Sequence, residues 1–568
     1  VIARDNAAAH WGLGGWMLVA ASFAVGFASF PLRTVGMDFE YLPGDPGDNR
    51  LNNYILEHGY RWLTRQAPSF WDAPMLFPTL GVTARSDAHI GMLPIYTAFR
   101  ASGCSPERAF QWWFLVPFFL NFAASVWSTK RLGFGPIAAA TAAYTFTFAL
   151  PVAAKTIHAQ LLPRFFVPLA FVFAWEFFRK PTSWRFAAVS ACVVAQTYLT
   201  VYIGYFLILL LGAAAVVSML GFGRQAPWRD LLAPSWREWA SRGLIAVMAA
   251  IAVLPLVRVH SHGVGRISRA EFYLYSPELA SWITPPLHSW SYPELVANTG
   301  LACLAEQQVF PGLTPIVAVG LGCLLAFRRS RLGDRQSIVA VSACTVLVLA
   351  ALVTDFGWCW LYSPFTELPG AGGIRAVSRV VLVLLFPAGI AVGACAEAGV
   401  GGFAACGRPA QGLAAALILS LIASDHWLAP TTGSGAEGWS HAHYPVETAL
   451  THQQQIAEAI RRRPGAACVH VFPTATDSKS VAVQLEAMRA SQDLGVPCVN
   501  GWTGHFPRGW DDRTFFPGYR SLMTWLVEVN GLKLEDLAGL VVVGEPAPDA
   551  NPVYEAAMRA LFPPQPTR

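Results

Sequence analysis

Between Trp11 and Leu428 the chain is a succession of apolar blocks separated by short clusters of Arg, Lys, Pro and Gly. No other feature restricts the fold so strongly. A bilayer core takes about 20 apolar residues per helix. In lipid, each backbone N–H and C=O must also be satisfied within its own segment, so such blocks fold as helices. Composition agrees: 54% of residues are hydrophobic and 13% charged, where soluble domains carry about 25% charged.

The blocks are Trp11–Phe30, Ala109–Ser128, Leu132–Pro151, Phe165–Phe178, Phe186–Met219, Leu244–Val257, Thr314–Phe327, Ile338–Val353, Val380–Cys395 and Leu413–Leu428. Phe186–Met219 is long enough for two short helices, with Thr197–Tyr202 as the turn between them. The expected fold is an all-α polytopic membrane protein of about eleven spans, followed by a small C-terminal α/β extracytoplasmic domain. The first block lacks a small-residue cleavage site and is read as a span, not a removed signal peptide.

Basic residues set the orientation. Lys130 and Arg131, then Arg179, Lys180 and Arg185, then Arg224, Arg229, Arg237 and Arg242, then Arg328, Arg329, Arg331 and Arg335 share one side if the N-terminus is cytoplasmic. The outer side then holds a long loop, 33–108, and two further loops, 258–312 and 355–379. Residues 1–430 form the membrane domain. Residues 431–568 form a soluble outer tail, in which strand-like Ala467–Phe472, Val496–Asn500 and Leu537–Gly544 alternate with helix-like segments. Cys468 and Cys498 lie at comparable places on two of those strands, where a disulfide is possible in an oxidising compartment.

Several function classes are excluded. Basic runs interleaved with aromatics are absent, so nucleic acid is not a partner. No zinc spacing, phosphate-binding glycine loop, metalloprotease helix or hydrolase elbow occurs. No metal and no cofactor is expected. The spans carry few acids or bases, Glu176 and Asp425 lying near span ends, which argues against an ion-coupled pump.

The candidate chemistry lies in the outer segments. Gly44-Asp45-Pro46-Gly47-Asp48 places two carboxylates about a Pro-Gly turn, next to the helix-like Leu51–Arg65. Such carboxylates can serve as a general base, hold a divalent cation or cap the following helix. Asp87, in Arg85-Ser86-Asp87-Ala88-His89, can cap the helix toward Phe99 or face the first pair. Lys155, His158 and Arg164 end the third block on the outer side, and Arg375 and Arg379 follow a Gly-rich turn into a later one. They can anchor to lipid headgroups or hold a phosphate. Asn500-Gly501-Trp502-Thr503-Gly504-His505 reads as an ordinary glycine turn after a strand, with Trp502 and His505 as the alternative contacts for a ligand.

Taken in order, these fragments resemble the GT-C superfamily of membrane glycosyltransferases, in particular its uncharacterised bacterial members. The resemblance runs from Gly44-Asp45-Pro46-Gly47-Asp48 through Phe77-Pro78, Ser86-Asp87, His158–Arg164 and Glu306 with Phe310-Pro311-Gly312, to Leu368-Pro369 and Ile374–Arg379. It implies an enzyme of the bacterial inner membrane with a periplasmic tail. Such an enzyme would take a sugar from a polyprenyl-phosphate donor at the outer face and transfer it with inversion. The acidic residue of the first outer loop would act as base, here Asp45 or Asp48. Arg164, Arg375 or Arg379 would hold the donor phosphate, with Lys155 and His158 behind them. Two residues separate Asp45 from Asp48, where many members have adjacent acids, and the tryptophan-rich signature of the oligosaccharyltransferase branch is absent. Donor lipid and membrane lipids are the expected partners, with the glycan, lipid or protein acceptor open. Two other readings stand beside this one: a non-catalytic subunit using the fold as a scaffold in a larger membrane complex, and a lipid or polysaccharide flippase.

Overall fold

The computed structural model describes residues 11–222, 235–263, 267–286, 288–295, 301, 304–327, 332–368, 371–429, 444–473, 480–511 and 513–566. Seven helices among them are long and apolar enough to cross a membrane, the longest being Pro106–Arg131. The remaining blocks are helices too. Phe166–Arg179, Ser183–Leu199, Leu313–Leu325 and Arg408–Asp425 are shorter or more polar. The Phe186–Met219 block divides into helices Ser183–Leu199 and Val201–Phe222, broken at Thr200, whose backbone is extended. Arg224, Arg229, Arg328, Arg329, Arg331 and Pro369 lie outside the described residues.

The chain forms two compact units. One comprises residues 1–34, 113–258 and 266–441, and the other residues 35–112, 259–265 and 442–568. The first is helical. Its centre is the pair Pro136–Phe148 and Val381–Gly401, which cross so closely that no side chain fits between them. A Cβ added at Gly389 would lie 2.8 Å from the carbonyl oxygen of Ala142, and one at Gly393 would lie 2.6 Å from that of Ala138. Small residues four apart on both helices let the backbones approach, which is how helices gain contact where lipid supplies no hydrophobic drive. Helix Trp236–Gly263 is the opposite case, mostly exposed along its apolar length as lipid contact requires.

In the second unit the segment 35–112 folds with the tail. Tyr41–Leu42 pairs antiparallel with Tyr444–Pro445. Cys468–Val471 and Leu540–Val543 form a parallel ladder, and Val469 bridges to Cys498. Residues 74–77 run along that edge, with Phe77 N–H donating to Cys498 O at 2.9 Å and Cys498 N–H to Pro74 O at 3.1 Å. Helices Val446–Arg461 and Ser480–Leu494 pack beside the ladder. The apolar core joins Leu51, Tyr54 and Ile55 from one segment to Leu485, Trp510 and Trp525 from the other. Cys468 and Cys498 are buried free thiols.

This unit also encloses charge. Arg50 is 2% exposed, and its guanidinium donates to Glu486 at 2.8 and 3.1 Å, to Glu107 at 3.1 Å and to Gln453 at 3.1 Å. Arg489 reaches Glu107 at 3.6 Å. Removing one member of such a network leaves an uncompensated buried charge, costing about 3–5 kcal/mol.

Candidate functional site

The carboxylate segment precedes helix Asp48–Leu63. Gly44 takes φ +76°, a conformation that side chains disfavour. The Asp45 carboxylate folds back over Gly47, where an added Cβ would lie 2.9 Å from Asp45 Oδ2. Asp48 is the first residue of the helix, where its charge meets the positive end of the helix dipole. Its Oδ1 accepts a hydrogen bond from Trp502 Nε1 at 3.0 Å. The turn that sequence reads as ordinary thus supplies an indole that fixes one acid. Asp87 is half-buried, and the helix toward Phe99 starts at Leu93 with Met92 before it. Nearby His89 sits in a left-handed conformation and meets Asn52 Oδ1 through Nε2 at 3.0 Å. His505 enters through its backbone, its carbonyl accepting from Arg85 at 3.4 Å.

In the helical unit, three of the five basic candidates converge on one acid. Glu306, in the short helix Leu304–Gln307, accepts from Lys155 Nζ at 3.0 Å. His158 Nε2 lies 3.1 Å from Glu306 Oε1. Arg379 makes a forked contact, Nη2 to Oε1 at 2.5 Å and Nε to Oε2 at 3.2 Å. Lys155 also donates to the Glu306 backbone carbonyl at 2.9 Å. Burial alone would push the Glu306 carboxyl up. The charges of Arg379 and Lys155 and the bond from His158 instead hold it well below the usual carboxylate range. The group is closed on most sides: Lys155 is 0% and Arg379 5% exposed, while His158 keeps an open edge.

The other two bases stand apart from that acid. Arg375 is half-buried with its guanidinium 4.9 Å from the Tyr275 ring centre. Arg164 is fully buried. It donates to the carbonyls of Leu382 at 3.0 Å and Phe146 at 3.1 Å, and its own N–H donates to Asn121 Oδ1 at 2.9 Å. It ties the two central helices together by carbonyl groups. Glu306 itself was legible only as part of a motif: nothing in its local spacing marks it as the acid on which distant bases meet.

Among the described residues no three His, Cys, Asp or Glu side chains gather as a metal site. Asp425 makes a separate contact. It accepts from the N–H groups of Leu313 at 3.0 Å and Thr314 at 2.8 Å and from the hydroxyls of Thr314 and Tyr292, capping helix Leu313–Leu325 from outside its own chain segment.

Fold and composition define a polytopic helical membrane protein. Residues 95–392, more than half the chain, match the family described as a domain of unknown function, DUF6311, and the chain belongs to that family. No curated protein matches the sequence. Among solved structures, the chain is similar to ArnT from Cupriavidus metallidurans bound to undecaprenyl phosphate, at 12% identity and TM-score 0.42, covering 86% of each chain. It is similar to the arabinofuranosyltransferase AftD from mycobacteria, at 14% identity and TM-score 0.44, covering 81% of this chain and 29% of that one. It is also similar to the oligosaccharyltransferase AglB from Archaeoglobus fulgidus, solved with an inhibitory peptide and a dolichol-phosphate, at 9% identity and TM-score 0.49, covering 89% of this chain and 65% of that one. At these identities and scores no residue role is taken from them.

Proposed function

We propose that the protein is a membrane glycosyltransferase. It takes a sugar from a polyprenyl-phosphate donor at the outer face of a bacterial inner membrane and passes it, with inversion, to an acceptor. The observation that carries this reading is the meeting of Lys155, His158 and Arg379 at one acid, a preorganised group of donors of the kind that stabilises a phosphate leaving group. Arg375 stays on Tyr275, apart from this group, and Arg164 ties together the two central helices. Asp45 or Asp48 acts as base toward the acceptor, with Trp502 orienting Asp48. In this reading the N-terminus is cytoplasmic and the tail periplasmic.

A second reading is supported by the burial of Lys155 and Arg379 behind Glu306, which also suits a structural ion cluster in a non-catalytic scaffold subunit. The two readings diverge on one measurement. Purified native protein, Asp45→Asn and Asp48→Asn are each incubated with a panel of polyprenyl-phosphate sugars, and donor consumption is followed by mass spectrometry. The transferase consumes a donor, and one of the variants loses about 100- to 10,000-fold in rate while remaining folded. Absence of consumption with every donor, together with a stable co-purifying membrane partner, supports the scaffold.

A further inference from the structure

Helix Leu313–Leu325 starts where Asp425 ends helix Arg408–Asp425 and caps it. From that point a groove of about 430 Å³ runs between the two helices and along helix Val381–Gly401. Its floor is Ala318, Val392, Ala396 and Ile422, each 3 or 4% exposed. Its rims are Leu313, Val317 and Leu321 on one helix and Leu421 on the other, each more than half exposed. The rim from Leu313 to Leu321 follows the helix for about 12 Å. The two alanines of the floor leave a space of ligand size between helices, and atoms around an unfilled space forfeit their dispersion contacts. Exposed leucine and valine rims suit hydrocarbon as a neighbour, not water. One end is polar, formed by Ser291, Tyr292, Ser424 and Asp425. No Lys, Arg or His is among the described lining residues. The N–H groups of Leu313 and Thr314, which at a helix start would suit an anion, are already taken by the Asp425 carboxylate.

We propose that this groove is a lipid site that takes one acyl chain of a glycerophospholipid from the surrounding bilayer, and that it is distinct from any site for a polyprenyl phosphate. The inference stands without the transferase reading. In a glycerophospholipid the ester and glycerol hold the phosphate away from the chain, so the chain fills the groove while the phosphate lies beyond its polar end. A polyprenyl phosphate carries the phosphate directly on the end of its chain, where this groove offers a carboxylate and no cationic side chain. The bound chain supplies the contacts that the two alanines leave unmade, and so braces helices Leu313–Leu325 and Arg408–Asp425 against Val381–Gly401.

The test starts from full-length protein stripped of lipid in detergent and then supplied with palmitoyl-oleoyl phosphatidylethanolamine. Native mass spectrometry counts the lipids retained, and thermal unfolding reports their effect. Wild type is expected to retain one more phospholipid than Ala318→Phe, whose ring fills the floor. Added phospholipid should raise the wild-type unfolding temperature by at least about 2 °C and leave that of Ala318→Phe unchanged. Should Ala318→Phe fail to fold, Val317→Trp takes its place, because Val317 stands on the exposed rim and a larger ring there covers the groove without entering the packed interior. Equal lipid counts and equal temperature shifts in wild type and a folded variant overturn the proposal. Displacement of the retained phospholipid by undecaprenyl phosphate overturns it too, since the groove then belongs to a chain that ends in phosphate. A dimer of lipid-free wild type that Val317→Trp abolishes gives the groove to a second copy of the chain, and also overturns it.

Discussion

His470 and His89 show how a buried imidazole makes the second unit sensitive to acid. His470 is 0% exposed in the strand Cys468–Val471, with Nε2 at 3.1 Å from the Phe516 carbonyl. Burial pulls its pKa from 6.5 down to about 4, and that of His89 down to about 3. Both groups stay neutral in the folded state at a pH where the unfolded chain binds a proton. The unfolded state therefore gains protons first, and stability falls as pH drops from 6.5 toward 4. For His470 the loss by pH 4 is about 3 kcal/mol. Hydrogen exchange of Cys468–Val471 measured at pH 6.5, 5.5 and 4.5 should show protection declining across this window, and His470→Gln should flatten the decline. The carboxyls of Glu57 and Glu107 are held low by Arg100, Arg50 and Arg489 against the opposing effect of burial. Their contribution is lost only at lower pH, as each passes through its folded pKa. Residue identity alone gave no sign of this: a histidine in an apolar strand reads the same whether or not its ring is enclosed.

Helix Leu313–Leu325 has only 13 residues and begins, after Gly312, with N–H groups that the helix itself cannot satisfy. Its cap comes from Asp425, at the end of helix Arg408–Asp425, more than a hundred residues later. Asp425→Ala is expected to cost about 1–2 kcal/mol, the usual range for a lost N-terminal cap, with Asp425→Asn losing less. Proteolysis or hydrogen exchange at residues 313–316 measures it, and unchanged protection would show that the cap contributes nothing. Asp425 stood out in sequence as an acid near a span end, but its partner was not legible. Capping across helices depends on which ends meet, and local spacing does not record that. The break at Thr200 is the contrasting case. A block too long for one span, with polar and aromatic residues at its middle, had to turn there, and helices Ser183–Leu199 and Val201–Phe222 meet at that point.

For the molecule as a whole, the tail and the segment 35–112 form one folding unit. A chain stopped after Ala429 would strip Arg50 of Glu486 and Gln453 and remove the tail half of the core around Leu51 and Ile55. Limited proteolysis of that shortened chain should cut within 35–112, where the full chain resists. Equal resistance would mean that the segment folds without the tail. The membrane character and the helical blocks were set by the sequence, because hydrophobic length and local periodicity are properties of contiguous residues. So were the candidates Asp45, Asp48, Lys155, His158 and Arg379, whose residue types suit base and phosphate chemistry wherever they fall. Only the tertiary structure decided that Glu306 gathers Lys155, His158 and Arg379 while Arg164 goes to backbone carbonyls and Arg375 to an aromatic ring. It alone also brought Trp502 to Asp48. These are contacts between residues tens to hundreds of positions apart, and which of them form depends on how close-packed helices and strands place their ends, which no local pattern encodes.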